Sequence, residues 1–318
     1  MKSDRNKTID LTIEEGEKYL ERCLRMDGSG MELPLEELRD QVILGDSMEV
    51  LPRLPEKFAD LLITDPPYNL NKEYEEETFR AMTAAEYGAF TRKWLLQVLP
   101  RLKETASVYV CCDWKSSMVI GPILDEFLTV RSRITWQREK GRGARANWKN
   151  GLEDIWFATV SDQYTFHVED VMQRRQVIAP YRENGVPKDW SEGPEGRFRD
   201  TFPSNFWDDI SIPYWSMAEN TAHPAQKPEK LAAKLILASS SEEDLVLDPF
   251  LGSGTTAVTA AKLGRRFLGI ERSRRYCIWA QKRLEMAAGD PSIQGYADGV
   301  FWERNTARWQ KQVRQRKK

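Results

Sequence analysis

The stretch LVLDPFLGSGTTAVTAAKL, Leu245 to Leu263, runs from an apolar, β-rich segment through a glycine turn into a helix pattern that Gly264 ends. Within it, Gly252-Ser253-Gly254-Thr255-Thr256-Ala257 satisfies the G-x-G-x-x-G/A pattern of nucleotide-binding turns. Glu271 follows Gly252 by 19 residues, where an acid meets ribose hydroxyls. No G-x-x-x-x-G-K-[ST] occurs, which excludes a phosphate-gripping P-loop. The glycines alone leave open a nicotinamide or flavin dehydrogenase, and also a tight turn without ligand. Position along the chain says more. Only 47 residues follow Glu271, and they read as one helix and a basic tail. A nucleotide-binding sheet begun at Leu245 therefore has to take its remaining strands from upstream.

Those strands are legible. QVILGD (41–46), ADLLITD (59–65) and ASVYVCCD (106–113) are short β-rich runs that each end in an aspartate. RSRITWQ (131–137) and EDIWFATV (153–160) are further strand candidates, and 87–102 carries a helix pattern. Strands alternating with helices predict an α/β fold: a Rossmann-like, doubly wound, mostly parallel sheet with helices on both faces. Ligands of such sheets bind at the carboxyl ends of the strands, where Asp46, Asp65, Asp113, Asp248 and Glu271 fall. The glycine-rich half comes last, so the two halves stand in reversed order relative to an ordinary Rossmann chain. This order makes the glycine turn a neighbour of the turn behind Asp65.

Five regions follow from the pattern. Residues 1–40 form an appendage with 7 basic against 11 acidic residues and an amphipathic helix expected from Glu14 to Met26, behind the capping-box spacing Thr12-Ile13-Glu14-Glu15. Residues 41–160 hold the first half of the sheet. Residues 161–222 are polar and aromatic without sustained periodicity and read as a loop-rich insert outside the core sheet. Residues 223–290 hold the glycine-rich half, and 291–318 read as a basic tail. Hydrophobic residues at 41% and charged ones at 30% are ordinary globular proportions rather than those of a disordered chain. With no apolar stretch long enough for a span or leader, the chain reads as soluble and cytoplasmic. Four cysteines and two histidines without a Cys-x-x-Cys make neither a disulfide framework nor a metal site. Cys111 and Cys112 read as strand core.

TDPPYNL, Thr64 to Leu70, stands directly behind the second strand. Two prolines stiffen the backbone after Asp65 and remove two N–H donors, so carbonyls are presented outward. A carboxylate and a proline carbonyl are both acceptors, and together they can hold the two hydrogens of an exocyclic amino group. The nitrogen lone pair is then kept for an electrophile, and Tyr68 offers a flat face for an aromatic base. That set suits an amino group on a nucleobase taken out of its duplex.

The sequence resembles the amino-methylating DNA methyltransferases, in particular their β class. TDPPYNL looks like the catalytic motif, DPFLGSGTT like the cofactor loop, HPAQKP (223–228) like the segment before the cofactor-binding half, and SNFWDDI (204–210) like a short upstream stretch. The resemblance covers roughly residues 41–285 and implies a permuted class I methyltransferase fold with a target-recognition insert. It implies S-adenosylmethionine as cofactor, double-stranded DNA as substrate and direct displacement without a metal. A cognate restriction endonuclease is an implied further partner, and the chain is expected as a monomer or a homodimer.

The resemblance assigns catalysis to Asp65, Pro66, Pro67 and Tyr68, with Asp65 and the Pro66 carbonyl on the target amine. It places Asp248, Phe250, Gly252, Gly254 and Thr255 around the methionine portion of the cofactor, Glu271 on the ribose, Asp46 on its adenine and Lys227 on its carboxylate. Asp65 lies against the same site, and His223 either joins it or only orients the turn before Pro224. Aspartate in the first motif position leans towards adenine N6, and serine towards cytosine N4. A non-catalytic DNA-binding protein of the same fold would be expected to lose Asp65 or Gly252, and both are present.

DNA contacts are expected from the basic run Arg131 to Asn150, which has 7 basic residues, one acid, and Trp136 and Trp148 interleaved for base stacking. Arg142, Arg145 and Lys149 are the expected phosphate contacts beside Trp148. Arg174, Arg175 and Arg182 are the expected base contacts.

Overall fold

Alternation along the strands builds two apolar layers. In ADLLIT, Leu61 and Ile63 pack into one cluster, while Leu62 packs into another on the opposite side. Tyr109 and Cys111 against Val108, Val110 and Cys112 repeat the division. A strand buried on both faces in this way belongs to a parallel sheet covered by helices.

The computed structural model describes residues 5–26, 34–74, 77–138, 146–178, 181–193 and 196–303. Its first half contains α1 (Glu17–Leu20), β1 (Gln41–Leu44), α2 (Ser47–Val50), β2 (Ala59–Thr64), α3 (Ala84–Val98), β3 (Leu102–Cys112), α4 (Trp114–Phe127), β4 (Thr129–Gln137) and β5 (Leu152–Thr159). The middle adds β6 (Gln173–Gln176), β7 (Ser191–Gly193), β8 (Gly196–Thr201) and β9 (Phe206–Trp207). The last third contains α5 (Glu229–Ser239), β10 (Leu245–Asp248), α6 (Thr255–Lys262), β11 (Arg266–Glu271), α7 (Arg274–Gly289), β12 (Tyr296–Ala297) and β13 (Val300–Trp302).

Among the described residues the main sheet has eight strands in the order β1-β11-β10-β2-β3-β5-β4-β9. The run β1-β11-β10-β2-β3 is parallel throughout, whereas β5 is antiparallel to both β3 and β4. The late half meets the early half where β10 pairs with β2, Val246 opposite Leu61. That pairing is the reversed order of the chain realised in space. Helices α5, α6 and α7 cover one face, with Leu231, Ala257 and Ile278 in its layer; α3 and α4 cover the other with Trp94 and Leu124. The doubly wound, mostly parallel α/β architecture expected from the sequence is the one observed.

Four expectations need correction. The helix from Glu14 to Met26 is only Glu17–Leu20. Thr12 and Glu15 do exchange the capping-box bonds (2.8 and 3.2 Å), but Leu24 leaves the helix to bridge Ile43 at the sheet edge. Trp136 is not a stacking platform: it is 1% exposed and its indole N–H donates to the Ile210 carbonyl at 2.9 Å. Strand alternation turned it inward while Arg133 faces out. The 161–222 region is not wholly outside the core sheet, because β9 pairs with β4 at its edge. Its other strands form a second sheet in the order β7-β8-β6-β13-β12. That sheet draws on residues expected in the tail: Phe301 and Trp302 are fully buried, and apolar bulk there outweighs the basic composition around it. The basic run after Glu303 lies outside the described residues.

Candidate active site

The carboxyl ends of β1, β2, β10 and β11 open onto a cavity of about 450 Å³. Asp46, Asp65, Pro66, Pro67, Tyr68, His223, Lys227, Asp248, Phe250, Gly252, Thr255 and Glu271 line it together, so residues up to 225 positions apart in the chain meet at one edge. Its volume is within the ordinary range for a cofactor cleft.

The Asp-Pro-Pro-Tyr turn is pinned from outside the sheet. Tyr87 of α3 donates its hydroxyl proton to the Pro67 carbonyl at 3.0 Å, and Asn69 exchanges bonds with Met82 at 2.6 and 2.9 Å. Asp65 Oδ2 accepts from Lys227 Nζ at 2.5 Å, while Oδ1 is buried with no hydrogen-bond partner among the described residues. A buried carboxylate oxygen without a donor is costly, and a donor entering the cavity would relieve that cost. Lys227 Nζ also lies 3.4 Å from Glu153 and 5.1 Å from the centre of the Tyr68 ring. Burial works against the lysine's charge, but Asp65 and then Glu153 outweigh it and hold Lys227 above the usual lysine range. Burial likewise raises Tyr68 well above an ordinary phenol, with the charges of Asp65 and Glu153 adding to it. The Tyr68 hydroxyl donates to Glu153 at 3.2 Å.

Opposite this turn, the glycine loop is built for close approach. Gly252 has φ +55, and a Cβ there would stand 3.3 Å from His223 Nε2. Gly254 has φ +86 and caps α6. Its own Cβ would stand 2.6 Å from that of Ala280. Glu271 fastens the loop to the sheet, accepting from Gly252 N and Ser273 N, each at 2.8 Å. Burial raises the Glu271 carboxyl above its usual range. It raises Asp248 up to about 7, against bonds from Thr256 and Phe250 N that favour the charge. Asp46 caps α2 by accepting from Met48 N at 2.8 Å, and the neighbouring Ser47 donates to the Pro249 carbonyl, joining the two halves. His223 serves its own turn, with Nδ1 accepting from Ala225 N at 3.2 Å, and also stands edge-on to Tyr276 over Gly252. Both roles weighed for it from sequence are compatible with this position.

Those of the expected DNA-contacting residues that are described lie away from the cavity. Arg142 and Arg145 lie outside the described residues. Trp148 is 94% exposed and Lys149 is exposed, at the foot of the connection into β5. Arg174 and Arg175 are on β6 of the second sheet: Asp200 accepts two bonds from Arg174 at 2.8 and 2.6 Å, and Arg175 bonds Gln173. Arg182 bonds the Gly185 carbonyl and pairs with Glu192 at 3.6 Å. None of these three lines the cavity.

Sequence reasoning missed two groups. Glu153 and Arg138 line the cavity beside Lys227. Behind the glycine loop, Arg283 is 2% exposed and donates to the Ser253 carbonyl (2.8 Å), Thr255 Oγ1 (3.0 Å) and Glu229 (3.0 Å), while Lys262 holds Glu229 from the other side at 2.7 Å. Arg283 reads in sequence as one more charge on an amphipathic helix, and nothing there signals that it braces the loop.

Fold and edge define a class: a permuted Rossmann-like α/β protein whose glycine loop and acid-Pro-Pro-Tyr turn face one cavity. Residues 59–282 match the family described as DNA methylase, the N6/N4 methyltransferases, and the chain belongs to that S-adenosylmethionine-dependent family. It is 32% identical to the DNA adenine methyltransferase YhdJ of Escherichia coli (strain K12) over 259 residues, covering 78% of this chain and 83% of that one. It is also 32% identical to the type II methyltransferase M.HpaI of Haemophilus parainfluenzae over 248 residues, covering 77% and 74%. The solved PvuII DNA methyltransferase (cytosine-N4-specific) shares the fold, with a TM-score of 0.57 and 18% identity over 79% of this chain and 92% of that chain. Family membership sets aside the dehydrogenase reading of the glycine turn.

Proposed function

We propose that this DNA methyltransferase moves the methyl group of S-adenosylmethionine to the N6 amino group of an adenine turned out of double-stranded DNA. The observation that carries the reading is the buried, unpartnered Oδ1 of Asp65 on a stiff turn beside Tyr68. An exocyclic amine donates one hydrogen to that oxygen and the other to the Pro66 carbonyl. Both bonds draw the lone pair out of the ring and aim it away from the turn. Tyr68 stacks on the base. Lys227 keeps the Asp65 charge in place without occupying Oδ1. The nitrogen that gains a methyl must shed a proton, and the Asp65 carboxylate is the base set to receive it.

The site fits the cofactor. Gly252 presents backbone without a side chain to the cavity while Gly254 lets the loop pack on α7, Glu271 suits ribose hydroxyls, Asp46 suits an amino group, and the acids at the strand ends favour a cation. When bound, the sulfonium supplies an electrophilic methyl, and the contribution of the protein is positioning for in-line displacement. Aspartate in the first motif position, and the similarity to a relative named a DNA adenine methyltransferase, favour adenine over cytosine. Expression in a host that lacks DNA methylation, followed by base-resolved sequencing, tests the reading. N6-methyladenine in one short motif is expected, and N4-methylcytosine in its place refutes the adenine assignment.

Two further results are expected. Asp248 sits near pH 7, and a cation favours its ionised form, so cofactor affinity should rise severalfold from pH 6 to pH 7.5. Titration calorimetry at the two pH values measures this, and Asp248→Asn should flatten the dependence. In the basic run, replacing Arg142, Arg145 and Lys149 by alanine should weaken binding to all sequences alike. The slope of log K against log salt should become shallower by about three, roughly one per lost phosphate contact. An unchanged slope removes the three from the interface.

A further inference from the structure

Glu153 has no place in the roles assigned so far, yet it stands at the centre of the catalytic turn's surroundings. It is the second residue of β5, and because β5 is antiparallel to β3 its first residues arrive at the ligand edge, with Asp154 opposite Cys112. Its carboxylate is 3% exposed. One oxygen takes the guanidinium of Arg138; the other accepts from the Tyr68 hydroxyl at 3.2 Å and lies 3.4 Å from Lys227 Nζ. Arg138 follows β4 directly, and its backbone N–H donates to the Gly151 carbonyl at 2.7 Å, closing the stem of the connection that carries Trp148 and Lys149. A buried carboxylate is tolerated only while it is paired, so Glu153 keeps its place through the stem on one side and the catalytic turn on the other.

We propose that Glu153 is a positioning residue for methyl transfer, which shares Lys227 with Asp65, orients Tyr68, and is itself held by Arg138 at the stem of the basic connection. With Glu153 present, the ammonium is divided between two carboxylates, and Asp65 retains charge for the target amine. Without it, Lys227 neutralises Asp65 alone and Tyr68 loses its hydroxyl anchor. Arg138 acts only through Glu153. The inference rests on Asp65 as the acceptor of the target amine, whichever base carries that amine.

Steady-state methyl incorporation into saturating duplex DNA tests it, with kcat and KM for S-adenosylmethionine measured on the full chain. Glu153→Gln should lower kcat about tenfold to a hundredfold with KM changed less than about twofold, and Glu153→Asp should recover part of the loss. Arg138→Ala should lower kcat less, and the double variant Arg138→Ala/Glu153→Gln should match Glu153→Gln within about twofold, since the two residues act as one unit. A kcat for Glu153→Gln within about threefold of the parent, or additive losses in the double variant, overturns the proposal. If Glu153→Gln does not fold, half-exposed Arg138 decides alone: lower kcat at unchanged KM supports the proposal, and unchanged kcat overturns it. Incorporation is counted on any base, so label in cytosine N4 would refute the adenine assignment while leaving this test valid.

Discussion

Asp65→Ala is expected to lower the rate of methyl transfer at least about a hundredfold while cofactor affinity changes less than about threefold. The expected size follows from what the carboxylate does. It is an acceptor fixed by Pro66 and Pro67 before the substrate arrives, and its free oxygen meets charge that grows on the amine as the new bond forms. Removing a preorganised group of that kind typically costs two to three powers of ten in kcat. Folding should survive, because Lys227 keeps Glu153 as a partner at 3.4 Å. Asp65→Asn retains one carbonyl acceptor in the same place and should fall between alanine and the parent. Single-turnover rates and calorimetry separate the two effects. A variant that transfers methyl at near-parental rate removes Asp65 from the mechanism.

The second large effect is structural. Gly254→Ala places a methyl group 2.6 Å from Ala280 Cβ and 2.8 Å from its Cα, at a φ of +86 that side chains rarely adopt. Ala280 belongs to α7 and is fully buried, so the backbone there has no room to yield. Left-handed strain and overpacking together should cost about 3 kcal/mol, or roughly 5–10 °C in melting temperature. Because Gly254 also caps α6, the loop must shift and cofactor binding should weaken with it. Gly289→Ala is the control: it ends α7, nothing lies within 4 Å of its added Cβ, and it should be neutral or stabilise by up to about 1 kcal/mol. Equal melting temperatures for the two variants would contradict the packing account.

The contrast between Asp65 and Glu153 shows what sequence carries and what it does not. Asp65 ends a strand that a doubly wound sheet must run in one direction, so its place on the ligand edge follows from fold class alone. Glu153 stands near the start of its strand, and a parallel reading sends it to the far edge. Only the antiparallel direction of β5 brings it to Lys227, and strand direction leaves no periodic signal. Trp136 failed for a related reason: charge composition described the run correctly, while the alternation of β4 decided which side chains faced inward. Phe301 and Trp302 were hidden inside a basic tail because their partners, Gln173 and Arg174, are far off in sequence. The glycine loop was legible because Gly252, Gly254 and Glu271 act within one strand–turn–helix–strand unit, where spacing is geometry. Its brace by Arg283 was not, because that contact comes from the next helix.

The most direct measurement is incubation of the purified chain with methyl-labelled S-adenosylmethionine and duplex DNA, followed by separation of the nucleosides. Label in N6-methyladenine, present with the parent and absent with Asp65→Ala, is the result expected here. Label in N4-methylcytosine would contradict the adenine assignment, and DNA left unlabelled by the parent would contradict the whole account of the site.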